Sequence, residues 1–240
     1  MNLCIDQGNT RTKIGIFDRD KLVEFRIFEE FGMNEMAEIN SAYLIDACIF
    51  SSVVVNDEFF LDQLRFHWPG MIVLSHETPV PIQNRYATPE TLGKDRLAVV
   101  VGASYLKSDT DLLVIDAGTA ITYDFIDANR VYWGGNIAPG IDLRLRSLHE
   151  FTQKLPLVVP KVDIPFLGTD TESAIISGVI YGVVSEIDGY INHLKIKYPK
   201  LSVFLTGGSI FYFDRKLKNA IFAERNLVLI GLNRILQYNV

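Results

Sequence analysis

Two short runs in this 240-residue chain place an acidic side chain and a glycine turn at the end of an apolar stretch. Asp6-Gln7-Gly8-Asn9-Thr10 follows Leu3-Cys4-Ile5, and Asp116-Ala117-Gly118-Thr119-Ala120 follows Leu112-Leu113-Val114-Ile115. An Asp that closes a buried strand lies at the rim of a sheet, where its carboxylate can reach a cation or the cation's water shell. Glycine tolerates positive φ and lets backbone N–H groups approach a ligand with no Cβ in the way. Consecutive turn amides, with Asn and Thr side chains, form a concave donor set suited to phosphate oxygens. Lys13, on the strand leaving the first turn, adds positive charge to that set. Either run alone is also what a tight hairpin with a turn-favouring Asp looks like; the pair in register carries more weight.

Gly93-Lys94-Asp95-Arg96 reads as a helix start. Gly93 can make the turn, Asp95 falls near the N-terminus, and Arg96 points about 100° round from it. That spacing fits an N-capping Asp beside a solvated Arg. It equally fits an Asp95 that orients a hydroxyl proton while Arg96 forks onto a substrate carboxylate. A helix N-terminus favours the charged carboxylate, so Asp95 would be a weak base, useful for alignment and late proton uptake. A loose phosphoryl-transfer transition state asks for alignment more than for nucleophile activation. His67, His76, His149 and His193 show no metal-ligand spacing and read as ordinary surface or core side chains. Cys4 and Cys48 sit in apolar runs and read as buried, reduced thiols. No Gly-x-Ser-x-Gly elbow and no Gly-x4-Gly-Lys-Ser/Thr loop occurs, which favours paired hairpins over a P-loop.

The elements that must position these residues follow from periodicity and turn signals. Strands are expected at 3–7, 13–18 and 22–28, a helix at 34–41, a strand at 44–54, a helix at 57–67 and a short strand at 71–74. Residues 75–92, with Pro79, Pro81 and Pro89, read as a loop, and loops this long in compact domains tend to be functional. A helix at 95–107 follows. At Leu112 the opening pattern returns, with strands at 112–116, 122–126 and 131–134. Helices at 141–154 and 171–198, a strand at 202–206 and a short terminal helix complete the chain. A shift of 110 residues lays Ile5, Asp6, Gly8 and Thr12 on Ile115, Asp116, Gly118 and Thr122. An internal duplication is the better reading of that match, with lobes at 1–109 and 110–240. Ala174, Gly178 and Gly182 form a small-residue stripe on the long helix, for which packing inside the chain is favoured over a subunit contact.

Composition narrows the partners. With 23 basic and 29 acidic residues the net charge is −6, which argues against nonspecific nucleic-acid binding and against anionic membrane surfaces. No run of 18 apolar residues occurs, so no membrane-spanning helix is expected. Asp6 interrupts the apolar start, so no secretory signal is expected and a cytoplasmic location is.

The paired Asp-Gly-Thr hairpins resemble the actin, sugar-kinase and heat-shock-chaperone superfamily. More narrowly, the chain resembles the type III pantothenate kinases. It does so through DQGNTRTK at 6–13, Tyr86 with GKDR at 93–96, DAGTAIT at 116–122, GGNIAPG at 134–140, GTDT at 168–171 and LTGG at 205–208. Two positions depart from the usual pattern: Lys94 stands where a small residue is commoner, and Ala87-Thr88-Pro89 replaces an Asn-Pro pair. The resemblance implies an α/β protein of two duplicated ribonuclease-H-like lobes with an ATP cleft between them. It implies phosphorylation of pantothenate, the first step toward coenzyme A, and a homodimer with substrate sites near its interface. By the same resemblance Asp6, Gln7, Gly8, Asn9, Thr10, Arg11, Thr12, Lys13 and Thr119 match ATP and phosphate contacts. Gly207 and Gly208 match the adenosine-side turn, although a plain strand-to-helix turn would use the same glycines. Asp6 matches a Mg²⁺ partner, acting through water, and Asp116 a monovalent-cation position (potassium or ammonium). Tyr86, Gly93, Lys94, Asp95, Arg96 and Thr171 match pantothenate contacts, with Asp95 the catalytic group. The rivals are another small-molecule kinase of the superfamily and, from a different class, a noncatalytic regulator.

Overall fold

The first motif folds as an antiparallel hairpin of β1 (Asn2–Gln7) and β2 (Thr12–Asp18), continued by β3 (Lys21–Phe28). In this computed structural model, which describes residues 1–55, 58–213 and 215–240, β4 (Ala47–Ser52) then pairs parallel to β1. The short β5 (Ile72–Val73) pairs parallel to β4, giving the strand order β3-β2-β1-β4-β5. β1 and β4 are covered on both faces, which is why they read as near-continuous apolar runs. On one face α1 (Met33–Ala42) and α2 (Glu58–His67) close a core of Leu3, Ile5, Ile16, Met36, Ile39, Phe50 and Leu64. The expected start of α2 at Asp57 lies outside the described residues.

The other face carries α3 (Lys94–Leu106) and α6 (Leu227–Asn239). α3 is buried from Arg96 through Ser104, the signature of a helix enclosed all round. Its closest neighbour is α6, and glycine sets the distance. A Cβ on Gly231 would fall 1.8 Å from the Ala98 carbonyl oxygen, and one on Gly102 would fall 2.5 Å from that of Leu227. α6 therefore belongs to the first compact unit, which comprises Met1–Asp109, Arg130–Trp133 and Asn226–Val240. A single division after residue 109 leaves out that return of the chain, made by helix-on-helix packing across a long sequence separation. Within this unit the 75–92 segment is not structureless: β6 (Gln83–Asn84) pairs parallel to Val131–Tyr132, and Pro89–Thr91 forms a 3₁₀ turn.

The second compact unit, Thr110–Asn129 with Gly134–Arg225, repeats the plan. β7 (Leu112–Ala117) and β8 (Ala120–Ile126) form the antiparallel hairpin, and β9 (Val131–Pro139) borders β8. β10 (Ser202–Thr206) and β11 (Phe222–Ala223) add in parallel on the other side. The order β9-β8-β7-β10-β11 is that of β3-β2-β1-β4-β5, strand for strand. α4 (Ile141–Glu150) and α5 (Thr171–Lys197) cover one face. α5 turns Ile176, Val179, Ile180, Val183 and Ile187 onto Leu113, Ile115, Ile121, Val203 and Leu205.

Three local features differ from the expected elements. α4 stops at Glu150 rather than 154, because the Thr152 hydroxyl donates to the Leu148 carbonyl and displaces the next helical amide. β9 runs on to Pro139. The small-residue stripe of α5 is packed inside the chain at one end only: a Cβ on Gly168 would fall 2.2 Å from Ala174 N, whereas one on Gly178 or Gly182 would meet nothing within 4 Å. By length and apolar composition α5 could cross a membrane, but more than half of that window is buried in the unit's own core. Cys4 and Cys48 are free and buried, and burial pushes both thiols up in pKa.

Candidate active site

In the first unit, Asp6 stands at the end of β1 with Lys13 across from it on β2 and Ser51 on β4, in register. Paired residues on neighbouring strands share a sheet face, so these three side chains are neighbours. Theirs is the face that α3 and α6 cover. Asp6 is buried; so is Ser51, whose Oγ has no hydrogen-bond partner among the described residues. A carboxylate beside an unpartnered hydroxyl fits a hydrated cation, since both can bind water that the ion holds. The turn itself is closed by the Gly8 amide donating to Arg11 O at 3.0 Å. It is braced by Ser52 Oγ donating to Gln7 Oε1 (2.8 Å) and the Val53 amide to Gln7 O (3.1 Å). Asn9, Thr10 and Arg11 are exposed at its tip, while Thr12 is buried at the start of β2.

The same unit positions the 86–96 segment. The Gln83 amide donates to Arg130 O and the Arg85 amide to Tyr132 O, each at 2.9 Å, which lays the segment along the start of β9. Tyr86 then stacks on Tyr132, with ring centres 6.3 Å apart and planes inclined by 13°. The Arg96 guanidinium lies 5.5 Å from the Tyr86 ring centre. Arg96 is only 4% exposed, so the alternative of a solvated Arg is excluded. Gly93 is the N-cap residue, not Asp95. The Asp95 carboxylate accepts the Arg96 amide at 2.8 Å, and a Cβ on Gly93 would fall 2.6 Å from Asp95 Oδ1. Gly93 leaves the room that this carboxylate occupies. Lys94, the first helical residue, is half-buried.

The second unit builds its turn from three glycine segments. Gly118 N donates to Ala120 O, Gly140 N to Thr119 O and Ser209 N to Ala117 O, each at 3.0 Å. Gly207, at φ +101°, could carry no side chain: its Cβ would lie 2.5 Å from Ala117 O and from Asp116 Oδ1. A Cβ on Gly140 would lie 2.3 Å from Gly118 O. Gly208 has no such constraint. Asp116 is in register with Thr122 on β8 and Thr206 on β10, and both threonines are buried. Thr122 Oγ1 has no hydrogen-bond partner among the described residues. One carboxylate with adjacent hydroxyls is a hard, singly charged donor set that fits a monovalent cation. Among the described residues no group of three or more His, Cys, Asp or Glu could hold a metal. Thr171 is exposed at the start of α5, on the rim of a cavity of about 620 Å³ lined also by Arg144, Leu148, Ala174 and Gly178.

Sequence reasoning missed Ser51, Thr122, Thr206, Gly140 and Tyr132. Thr122, Thr206 and Gly140 lie inside the DAGTAIT, LTGG and GGNIAPG runs, so alternation within those motifs could have found them. Ser51 and Tyr132 reach their places through parallel pairing between distant segments, which leaves no local signal.

Comparisons with known proteins identify the family. The type III pantothenate kinase family model matches residues 2–193. A type III pantothenate kinase of Phocaeicola vulgatus is 52% identical over 239 residues, covering 100% of this chain and 99% of its own. Among solved structures, a Campylobacter jejuni protein described as a Baf family transcriptional activator aligns with a TM-score of 0.60 at 23% identity. That alignment covers 99% of this chain and 98% of the other. An inorganic polyphosphate/ATP-glucomannokinase from Arthrobacter aligns at 0.52 with 15% identity, over 99% and 98% of the two chains. At such identities the structural likenesses show the fold alone, that of the sugar kinases and actin-like ATPases. The sequence match over the full length decides the rest: the chain belongs to the type III pantothenate kinase family.

Proposed function

We propose that this chain transfers the terminal phosphoryl group of ATP to the terminal hydroxyl of pantothenate, giving 4′-phosphopantothenate for coenzyme A synthesis. The observation that carries the reading is full-length membership of the family, joined to two Asp-ended strands at equivalent places in two copies of one sheet. As a kinase it uses ATP with a divalent metal, and bound Mg²⁺ lowers the charge that the phosphates present to an incoming oxygen. Asp6 holds the water shell of that ion, with the Ser51 hydroxyl at its side. The amides of 8–10, Lys13 and Thr119 take the phosphates, and the Gly207 turn borders the adenosine end. Asp116, with the Thr122 hydroxyl, holds a potassium or ammonium ion. Asp95 aligns the pantothenate hydroxyl and accepts its proton late, while Arg96, steadied by Tyr86, binds the carboxylate. Thr171 contributes a further polar contact.

The reading includes a homodimer and a cytoplasmic location, where ATP and pantothenate meet. The open Gly178 and Gly182 face of α5 supports the first, since small residues let two helices approach closely. A coupled assay of ADP release, with and without pantothenate and with sodium replacing potassium, tests the whole. Pantothenate-dependent turnover that falls in sodium is the expected result. Phosphorylation of a sugar or acetate, with none of pantothenate, would overturn the substrate assignment.

A further inference from the structure

The turn at Asp116–Ala120 is backed by a polar network to which the reaction assigns no role. Glu186, on α5, spends both carboxylate oxygens: Tyr123 Oη donates to Oε1 and Arg144 Nη2 to Oε2, each at 2.7 Å. Arg144 also donates through Nε to the Pro139 carbonyl at 2.7 Å. The next residue is Gly140, whose amide holds the Thr119 carbonyl and whose Cα lies too close to Gly118 for any side chain. Tyr123, 2% exposed, sits one residue beyond Thr122 on the strand that leaves the turn. Its ring stacks on Tyr190 with centres 4.0 Å apart, and Tyr190 Oη accepts from Asn136 Nδ2 at 3.3 Å. Burial, and then Glu186, push the Tyr123 phenol far up in pKa, so it stays a donor throughout the working range.

These contacts close a ring. From the turn it runs through Gly140 and Pro139 to Arg144, then to Glu186, to Tyr123, and along β8 back to the turn. Glu186 is its one acidic member, and it joins Arg144, which holds the Pro139 carbonyl, to Tyr123 on the strand that leaves the turn. Both of its bonds are strong: one is an ion pair, the other a hydrogen bond to a charged acceptor, and each side chain is mostly screened from water. We infer that Glu186 is a positioning residue for the nucleotide: acting through Arg144 and Tyr123, it holds the backbone around Thr119 in the shape that receives ATP. This rests on the assignment of the Thr119 turn to ATP.

Glu186→Gln keeps the size and one acceptor but removes the charge. The KM for ATP is expected to rise about tenfold, with kcat at saturating ATP and the KM for pantothenate each within about twofold. ADP affinity measured by calorimetry, with no turnover involved, is expected to fall by the same factor. Tyr123→Phe loses one of the two grips and is expected to show a smaller change of the same kind, and it serves alone if Glu186→Gln does not fold. A lowered melting temperature with unchanged ATP KM and unchanged ADP affinity would overturn the inference, as would equal rises in both KM values. If the wild-type chain binds ADP but leaves pantothenate unphosphorylated, the substrate reading fails, and weaker ADP binding by Glu186→Gln still upholds the inference.

Discussion

Gly93 owes its missing Cβ to the carboxylate two residues on. The added methyl in Gly93→Ala would fall 2.6 Å from Asp95 Oδ1, the mobile end of a side chain, so the carboxylate moves and the helix stays. Gly93→Ala should therefore fold with wild-type circular dichroism and lose turnover by about 10- to 100-fold, because small misplacements of a reacting group are costly. Asp95→Asn tests the same group directly and should lower kcat by about 10²–10⁴. Near wild-type turnover in Asp95→Asn would remove it from the mechanism. Thr122 offers a test of the cation. Its Oγ1 is buried and unpartnered among the described residues, so Thr122→Val should cost no stability while raising the potassium concentration needed for half-maximal activity. An unchanged potassium requirement would separate Thr122 from the ion. At this scale the charged groups were legible, because Asp6, Asp95 and Asp116 stand in motifs. The neutral hydroxyls beside them were not, because Thr and Ser are common on strands and only the register of Asp6 with Ser51 gives that hydroxyl meaning.

Among the elements, both hairpins and both central parallel strands were legible from turn residues flanking apolar runs. The ends of elements were not. Thr152 ends α4 through a side-chain bond that competes with the helix, and no periodicity encodes that competition. The partnership of α3 with α6 was also hidden, since it joins glycines at 102 and 231. Its energetics can be tested against a matched control. Gly231→Ala would drive a methyl to 1.8 Å from the Ala98 carbonyl oxygen, forcing two buried helices apart. A loss of about 3 kcal/mol in urea unfolding is expected. Gly189→Ala, on α5, meets nothing within 4 Å and relieves a helix-interior glycine. A gain of about 0.5–1 kcal/mol is expected there. Equal effects of the two would mean that close approach does not set the α3–α6 distance.

For the whole molecule, the same strand order appears twice, so one small fold was made to present an acidic strand end and a glycine turn in two copies. The copies have since diverged in what surrounds the acid. Asp6 has a lysine on the neighbouring strand, whereas Asp116 has two threonines, which suits the first to phosphate with its metal and the second to a lone cation. Divergence extends to the helices. α5, with 27 residues, is the longest helix among the described residues, and its stripe at Gly178 and Gly182 is left open. Two copies related by a two-fold axis can bring such stripes together, because the contact is then self-complementary. An arginine in that stripe would bury charge against its own copy, yet at position 182 of a single chain it would point into open space. Gly182→Arg should therefore keep the wild-type urea midpoint at low protein concentration while sedimenting as a monomer, where the unaltered chain is expected to sediment as a dimer. If the substrate site is completed across the contact, pantothenate turnover should fall with the dimer and not with the fold. A fully active wild-type monomer would dismiss the homodimer and leave the stripe without a partner.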